Sequence, residues 1–255
     1  MLPKLTFRDE FAIMKFNRPD AMNALNNAVI DEIDIIVNDV RQSDAKAFII
    51  IGGGEKAFCA GADIKEILDL SLPEKKAKAE KGQSIFAKID NLDIPSFACI
   101  NGYAFGGGLE ISLACTFRVA TKNAAVGLPE IKLGLLPGYG GTQRLPKVIG
   151  EARALEMIMS GRTLKADEAL QFGLVNRILE NDPLEETIEY AKEFTQYSKS
   201  TLGYAKTAIK RGLDTSLQDG LKIEADVSTL AYMSKDAQEG ITAFIEKRKP
   251  NFRDC

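Results

Sequence analysis

Apolar residues along the chain follow two rhythms, and their order predicts a mixed α/β core followed by an all-helical tail. Short apolar runs at 5–8 and 11–16 flank the charged turn Arg8-Asp9-Glu10 and predict two strands. Asn17-Arg18-Pro19-Asp20 breaks the pattern. A helix over about 26–42 then places Val29, Ile33, Ile36, Val37 and Val40 on one face. The run AFIII at 47–51 does not alternate, which predicts a strand covered on both sides, and three glycines at 52–54 stop it. Asp63 is placed to cap a helix carrying Ile64, Ile67 and Leu68. Pro73 opens a charged helix whose Lys/Glu run reads as a solvated face.

A second buried strand is predicted at 94–100, led by Pro95. It runs into Asn101 and the triplet Gly106-Gly107-Gly108, after which Leu109, Ile111, Leu113 and Ala114 begin a helix. Glycines there let a ligand approach the backbone and leave N–H groups free at the positive end of a helix. Glu110 stands one turn inside that helix and Glu130 follows in the loop Gly127-Leu128-Pro129-Glu130, so two acids flank a potential anion site. A packing turn and a phosphate loop are the competing readings of the triplet. The spacing matches neither GxGxxG nor GK[ST]. Beyond it, a second glycine-rich loop at 131–141 precedes helices near 142–149 and 151–159, a short helix opened by 161–168 and a strand at 174–178. From about 183 the pattern is helical only, giving a core over 1–195 and a helical region over 196–255. Strand–turn–helix units recur at 47–69, 95–115 and 174–195.

Composition narrows the chemistry. The 255 residues are 45% hydrophobic and 27% charged, an ordinary globular balance able to bury a large core. A net charge of −3 with no extended Lys/Arg stripe argues against a nucleic-acid surface. No apolar run approaches the ~20 residues of a membrane span, and the first residues carry no leader pattern, so a cytoplasmic protein is expected. Cys59, Cys99, Cys115 and Cys255 show no CxxC spacing and read as free thiols, with no metal expected. Histidine is absent altogether. Ser-His-Asp and Cys-His machinery is therefore excluded, and acid–base work falls to carboxylates.

Six segments in order resemble the crotonase (enoyl-CoA hydratase/isomerase) superfamily over almost the whole chain. They are Asn17-Arg18-Pro19 with Met22-Asn23-Ala24-Leu25, the stretch from Lys56 to Ile64, and Asn101 through Glu110. Leu128 to Ile131, Pro137 to Arg144, and the closing Phe244-Ile245-Glu246-Lys247-Arg248 complete the set. The resemblance implies an α/β fold, a crotonase-like spiral of ββα units with roughly perpendicular sheets, and a C-terminal helical region that builds trimers paired into hexamers. It implies an enoyl-CoA hydratase, which adds water across the C2=C3 bond of a trans-2-enoyl-CoA. Glu110 and Glu130 match the acids, and the backbone N–H groups of Ala62 and Gly107 match the oxyanion hole. Ala24, Ala60, Ala62, Asp63, Ile64, Lys65, Gly107, Pro129 and Gly138 match substrate contacts. Lys247 would reach the coenzyme A phosphates of a neighbouring subunit, although a helix C-terminus also explains a basic residue there. The substrate is an acyl-CoA thioester, no separate cofactor is implied, and neither nucleic acid nor membrane is an expected partner. The acyl pocket is expected to be lined by the helices of 66–90 and residues near Tyr139.

Two other functions stay open at this stage. Relatives that shift a double bond commonly keep one of these acids, so glutamate at both 110 and 130 favours hydration over isomerisation. Some relatives bind RNA, which the acidic balance disfavours.

Overall fold

The computed structural model describes residues 1–254 of the chain. An antiparallel hairpin opens it, β1 (Lys4–Arg8) pairing with β2 (Phe11–Lys15) across a turn where Asp9 is left-handed at φ 51°. Asn26 caps α1 (Asn27–Gln42) by accepting the Val29 N–H at 2.9 Å, and the predicted apolar face of this helix is buried. β3 (Ala47–Ile51) is buried at every residue. There follow β4 (Ala57–Cys59), α2 (Leu72–Asp90), β5 (Ser96–Ile100), β6 (Tyr103–Phe105) and α3 (Gly107–Ala114). Next come β7 (Phe117–Thr121), β8 (Ala125–Gly127), α4 (Gly141–Ile149), α5 (Glu151–Ser160), β9 (Thr163–Lys165), α6 (Ala166–Gln171) and β10 (Arg177–Leu179). The chain closes with α7 (Pro183–Thr195), α8 (Lys199–Leu213), α9 (Leu217–Tyr232) and α10 (Lys235–Glu246). None of these helices is long and apolar enough to cross a membrane.

The strands divide by position within each unit. The first strands of the pairs β3/β4, β5/β6 and β7/β8 enter a six-stranded sheet of order β1-β2-β3-β5-β7-β10, and the second strands enter a four-stranded sheet of order β4-β6-β8-β9. Successive units pair in parallel in both sheets, with a helical segment after each pair, so the chain advances as a spiral of ββα units. Asn101 fastens one step of the spiral to the next. Its Oδ1 accepts the Gly52 N–H at 2.9 Å, while Nδ2 donates to the Gly52 and Gly54 carbonyls at 3.1 and 2.8 Å.

Both faces of the large sheet are covered. One side packs on α1, α2 and α3 through Val37, Phe48, Ile50, Phe86 and Leu109. The other packs on α7, where Phe97 and Phe117 meet Tyr190 and Phe194 with ring centroids 4.6–5.9 Å apart. Cys59, Cys99 and Cys115 are buried free thiols, as their apolar surroundings predict, and Cys255 lies outside the described residues.

Two expectations are corrected. Asp63 caps no α-helix, because Ile64–Glu66 form a single 3-10 turn and the Asp63 carboxylate pairs instead with Arg18 at 3.3 Å. Ile64 and Leu68 are exposed, so no core contact offsets the cost of extending that turn. The unit expected at 174–195 is present as β10 and α7, but its strand starts only at Arg177 because Leu174 and Val175 turn back to the Ala169 carbonyl, and a further unit begins at β7. Strands β4, β6, β8 and β9 have three residues each, too few for either periodicity to register.

Asn101→Ala should lower stability by about 2–4 kcal/mol, since it strands buried backbone groups of the Gly52 crossing. Urea unfolding followed by circular dichroism measures it, and a loss below about 1 kcal/mol would show that the fastening matters little.

Candidate active site

A cavity of about 240 Å³ opens where the N-terminus of α3 meets the loop before the 3-10 turn at 64–66. The approach depends on glycine. Gly106 is left-handed at φ 51°, and a Cβ there would lie 2.9 Å from Glu130 Oε1. A Cβ on Gly107 would lie 2.9 Å from Leu25 Cδ1 and 3.5 Å from the Ala62 nitrogen. Leu25 pairs beside this point, its N–H donating to the Gly61 carbonyl at 2.8 Å and its carbonyl accepting the Asp63 N–H at 2.9 Å. That alternation turns the Ala62 N–H away from Leu25. Gly107, as the first residue of α3, has no intrahelical acceptor for its own N–H. Among the described residues neither N–H donates to the protein, so two neighbouring amides remain free beside the cavity.

The two acids meet the same space from opposite elements. Glu110, in the first turn of α3, is 2% exposed, unlike the solvated residue that a lone helical glutamate usually is. Its Oε1 accepts the Tyr139 N–H at 2.7 Å and the Gly141 N–H at 2.8 Å, the second from the start of α4, whose dipole favours negative charge there. No protein donor reaches its Oε2 among the described residues. Burial pushes the Glu110 carboxyl up to about 7, with the Glu130 charge adding to the shift and the two amides opposing it. Glu130 stands in the 3-10 turn Pro129–Leu133, and burial raises its pKa as well. Its Oε2 is buried with no hydrogen-bond partner. An orphaned buried carboxyl oxygen is costly, and such groups in native proteins commonly await a ligand or water.

Ala60, Ala62, Ile64 and Gly107 line the cavity with Pro129 and Gly138, together with both glutamates. Ala24, Asp63, Lys65 and Lys247 do not. Arg18 gathers the first two, donating from Nη1 to the Ala24 carbonyl at 2.7 Å and from Nη2 to Asp63 at 3.3 Å, which binds the 17–25 loop to the 60–63 loop. Lys65 is exposed, and Lys247 forms the left-handed cap of α10. Tyr139 joins the wall, and Leu133, Leu135 and Leu136 of the same loop supply an apolar rim, in line with the expectation for residues near Tyr139. Lys75 and Lys78 of α2 also face the cavity, although the Lys/Glu run there reads as solvated. Only the packing of α2 against α3 and Tyr139 tells which lysines turn inward. Arg144 was missed for a similar reason: it acts at one remove, donating to the Tyr139 carbonyl at 3.2 Å and to Asp90 at 3.3 Å.

Residues 6–255 match the family model described as Enoyl-CoA hydratase/isomerase. The chain belongs to the enoyl-CoA hydratase/isomerase family. It is 39% identical to the crotonyl-CoA hydratase of Syntrophomonas wolfei over 246 residues, covering 96% of this chain and 95% of that one. It is 38% identical to the short-chain-enoyl-CoA hydratase of Clostridium acetobutylicum, covering 93% and 92%. Among solved structures, the enoyl-CoA hydratase of Bacillus anthracis superposes with a TM-score of 0.95 at 35% identity, covering 99% of both chains. The spiral and its C-terminal helices are thus the family's fold.

In this family member the buried charge of Glu110 carries a stability cost with a definite pH window. A carboxyl raised from 4.5 to about 7 binds more protons folded than unfolded between those values, so its contribution falls as pH rises from 4.5 to 7. Glu110→Gln keeps an oxygen for the two amides and removes the charge. It should stabilise the protein by up to about 3 kcal/mol at pH 8 and by almost nothing at pH 4. Urea midpoints of both proteins across that range test the sign, and a pH-independent difference would refute it.

Proposed function

We propose that this protein is an enoyl-CoA hydratase that adds water reversibly across the C2=C3 bond of a trans-2-enoyl-CoA. The observation that carries this is the convergence, on one cavity, of Glu110 with a free Oε2, Glu130 with an unbonded Oε2, and the free amides of Ala62 and Gly107. Names of relatives at about 40% identity support it.

The thioester oxygen accepts from the Ala62 and Gly107 amides. Glu110, ionised and oriented by the Tyr139 and Gly141 amides, takes a proton from water as the water oxygen bonds to C3. Electrons of the double bond move toward C2 and onto the thioester oxygen, where the two amides meet the growing charge. Each such donor is worth roughly 3–4 kcal/mol of barrier. Protonated Glu130 then delivers its proton to C2, and the two acids exchange roles in the reverse direction. Burial and mutual repulsion suit this division, because they raise both acids toward neutrality and disfavour their joint ionisation. No histidine, metal or separate cofactor enters these steps.

The apolar rim of Leu133, Leu135 and Leu136 and the ring of Tyr139 form the acyl side of the pocket. Ala60 and Ile64 line the coenzyme A side, Ala24, Asp63 and Lys65 flank it from outside the cavity, Gly138 seats the water and Lys247 serves a neighbouring subunit's phosphates. A trimer or hexamer built through the C-terminal helices suits their exposed Leu230, Tyr232, Met233, Phe244 and Ile245. A cytoplasmic setting suits the free thiols.

Loss of enoyl-thioester absorbance with crotonyl-CoA tests the activity. Wild type should hydrate rapidly, and Glu110→Gln and Glu130→Gln should each fall by about a hundredfold or more. No hydration by wild type, or dependence on one acid only, would replace this function with double-bond isomerisation of a 3-enoyl-CoA.

A further inference from the structure

A second cavity, of about 490 Å³, lies between α8 and the region where α3, β7 and α4 meet. It shares no lining residue with the active-site cavity, and its volume falls within the range of small-molecule sites. Its walls are apolar at Leu113, Phe117, Val148 and Leu202, with Ile209 and Leu213 exposed at the mouth.

The charges lining it do not balance. Asp90 already holds Arg144 and Lys210, and Asp214 holds Lys147. Arg118 and Lys206 are left with no carboxylate partner among the described residues, though both are largely buried and Arg118 is only 6% exposed. Arg118 spends Nε on the Leu174 carbonyl and Nη1 on the Ser112 and Cys115 carbonyls, so both hydrogens of Nη2 lack an acceptor. Lys206 donates to the Leu92 and Ile94 carbonyls at 2.7 and 3.4 Å, which leaves one ammonium proton over. Burial lowers the Lys206 pKa to about 8, only partly opposed by the nearby Asp93, and depresses that of Arg118, as expected of cations that have lost water without gaining a paired carboxylate. Buried charges are rarely kept without a counter-charge.

We propose that this cavity is a binding site for a small amphipathic carboxylate, its head on Arg118 Nη2 and Lys206 Nζ and its chain along the leucine-lined wall. A carboxylate offers two oxygens to the unused protons, and guanidinium and carboxylate match in charge and geometry. The apolar walls would strand the hydration shell of a compact inorganic anion, so the ligand has a hydrocarbon part.

Octanoate titrated into the full-length protein, followed by isothermal calorimetry, tests the site against 1-octanol and inorganic phosphate. Octanoate should bind at one site per chain, with 1-octanol and phosphate each at least tenfold weaker. Ile209→Trp, which fills the mouth, and Lys206→Met, which removes one anchor, should each weaken octanoate at least tenfold with unchanged circular dichroism. Absence of octanoate binding would mean that the cavity is closed in the assembled protein and would overturn the proposal. So would phosphate binding as tight as octanoate, or octanoate affinity unaltered by both substitutions, which would place the ligand elsewhere.

Discussion

The close approach of two backbones, the start of α3 and the loop through Ala60, Gly61 and Ala62, is the contact on which the rest of the site depends. It requires residues without side chains on the α3 side, because a Cβ on Gly106 or Gly107 would meet the Glu130 carboxyl or Leu25. Gly108 continues the requirement one step further, where a Cβ would overlap the Cys59 carbonyl of β4. Three neighbouring glycines thus press a helix end onto a strand and a loop. The helix end cannot satisfy its own first amides, and the loop at Ala62 spends its alternate groups on Leu25. Two free donors side by side follow from packing, with no side chain devoted to them. Side-chain substitution leaves such a device largely untouched, whereas a glycine replacement would displace it.

The acids obey a related constraint from the opposite direction. Their carboxyl groups are withdrawn from water, so each needs compensation in its charged state. Glu110 has it in part, through two amides that hold one oxygen and leave the other free. Glu130 has less, with one oxygen buried and unbonded. The two acids therefore present unlike carboxyl oxygens, one beside an oxygen already held by amides and one buried without a partner. Tyr139 links Glu110 to the cavity wall, because its amide holds Glu110 while its ring packs on Phe86 at 5.5 Å and on the notch left by Gly82 of α2. The position of the Glu110 carboxyl and the shape of the cavity therefore both depend on one residue.

Much of this arrangement is legible in the sequence, and what is legible shares a physical cause. AFIII at 47–51, the face of α1 and the run before Asn101 announce themselves because burial on a periodic element repeats in the residue order. The glycine triplet and both glutamates stand out as a potential anion site, but their roles come only through the family resemblance, since one glutamate in one helical turn has no period to disclose it. Elements whose identity depends on a distant partner are not legible. β7 carries the buried Arg118 as its second residue, satisfied by carbonyls of α3 and of the segment before β10, so its sequence lacks the apolar run of its neighbours. The turn after Asp63 looks helical from its apolar spacing, yet Ile64 lines the cavity instead of the core.

A buried cation at a sheet position and a buried anion at a helix start pose the same problem, and the fold treats them differently. Arg118 receives three carbonyls and no countercharge, while Glu110 receives two amides and lies near a second anion. Carbonyls and amides are fixed dipoles, so they support charge without moving, but each covers only the part of the group that faces it. In both cases the residue lines a cavity and one of its polar atoms has no partner in the protein: Oε2 of Glu110 and Nη2 of Arg118. Holding half-satisfied charges at two separate cavities relies on the surrounding buried core of the spiral. The carboxyl group at the first cavity and the guanidinium at the second are thus held in place by packing, and each is left with a polar edge open to a ligand.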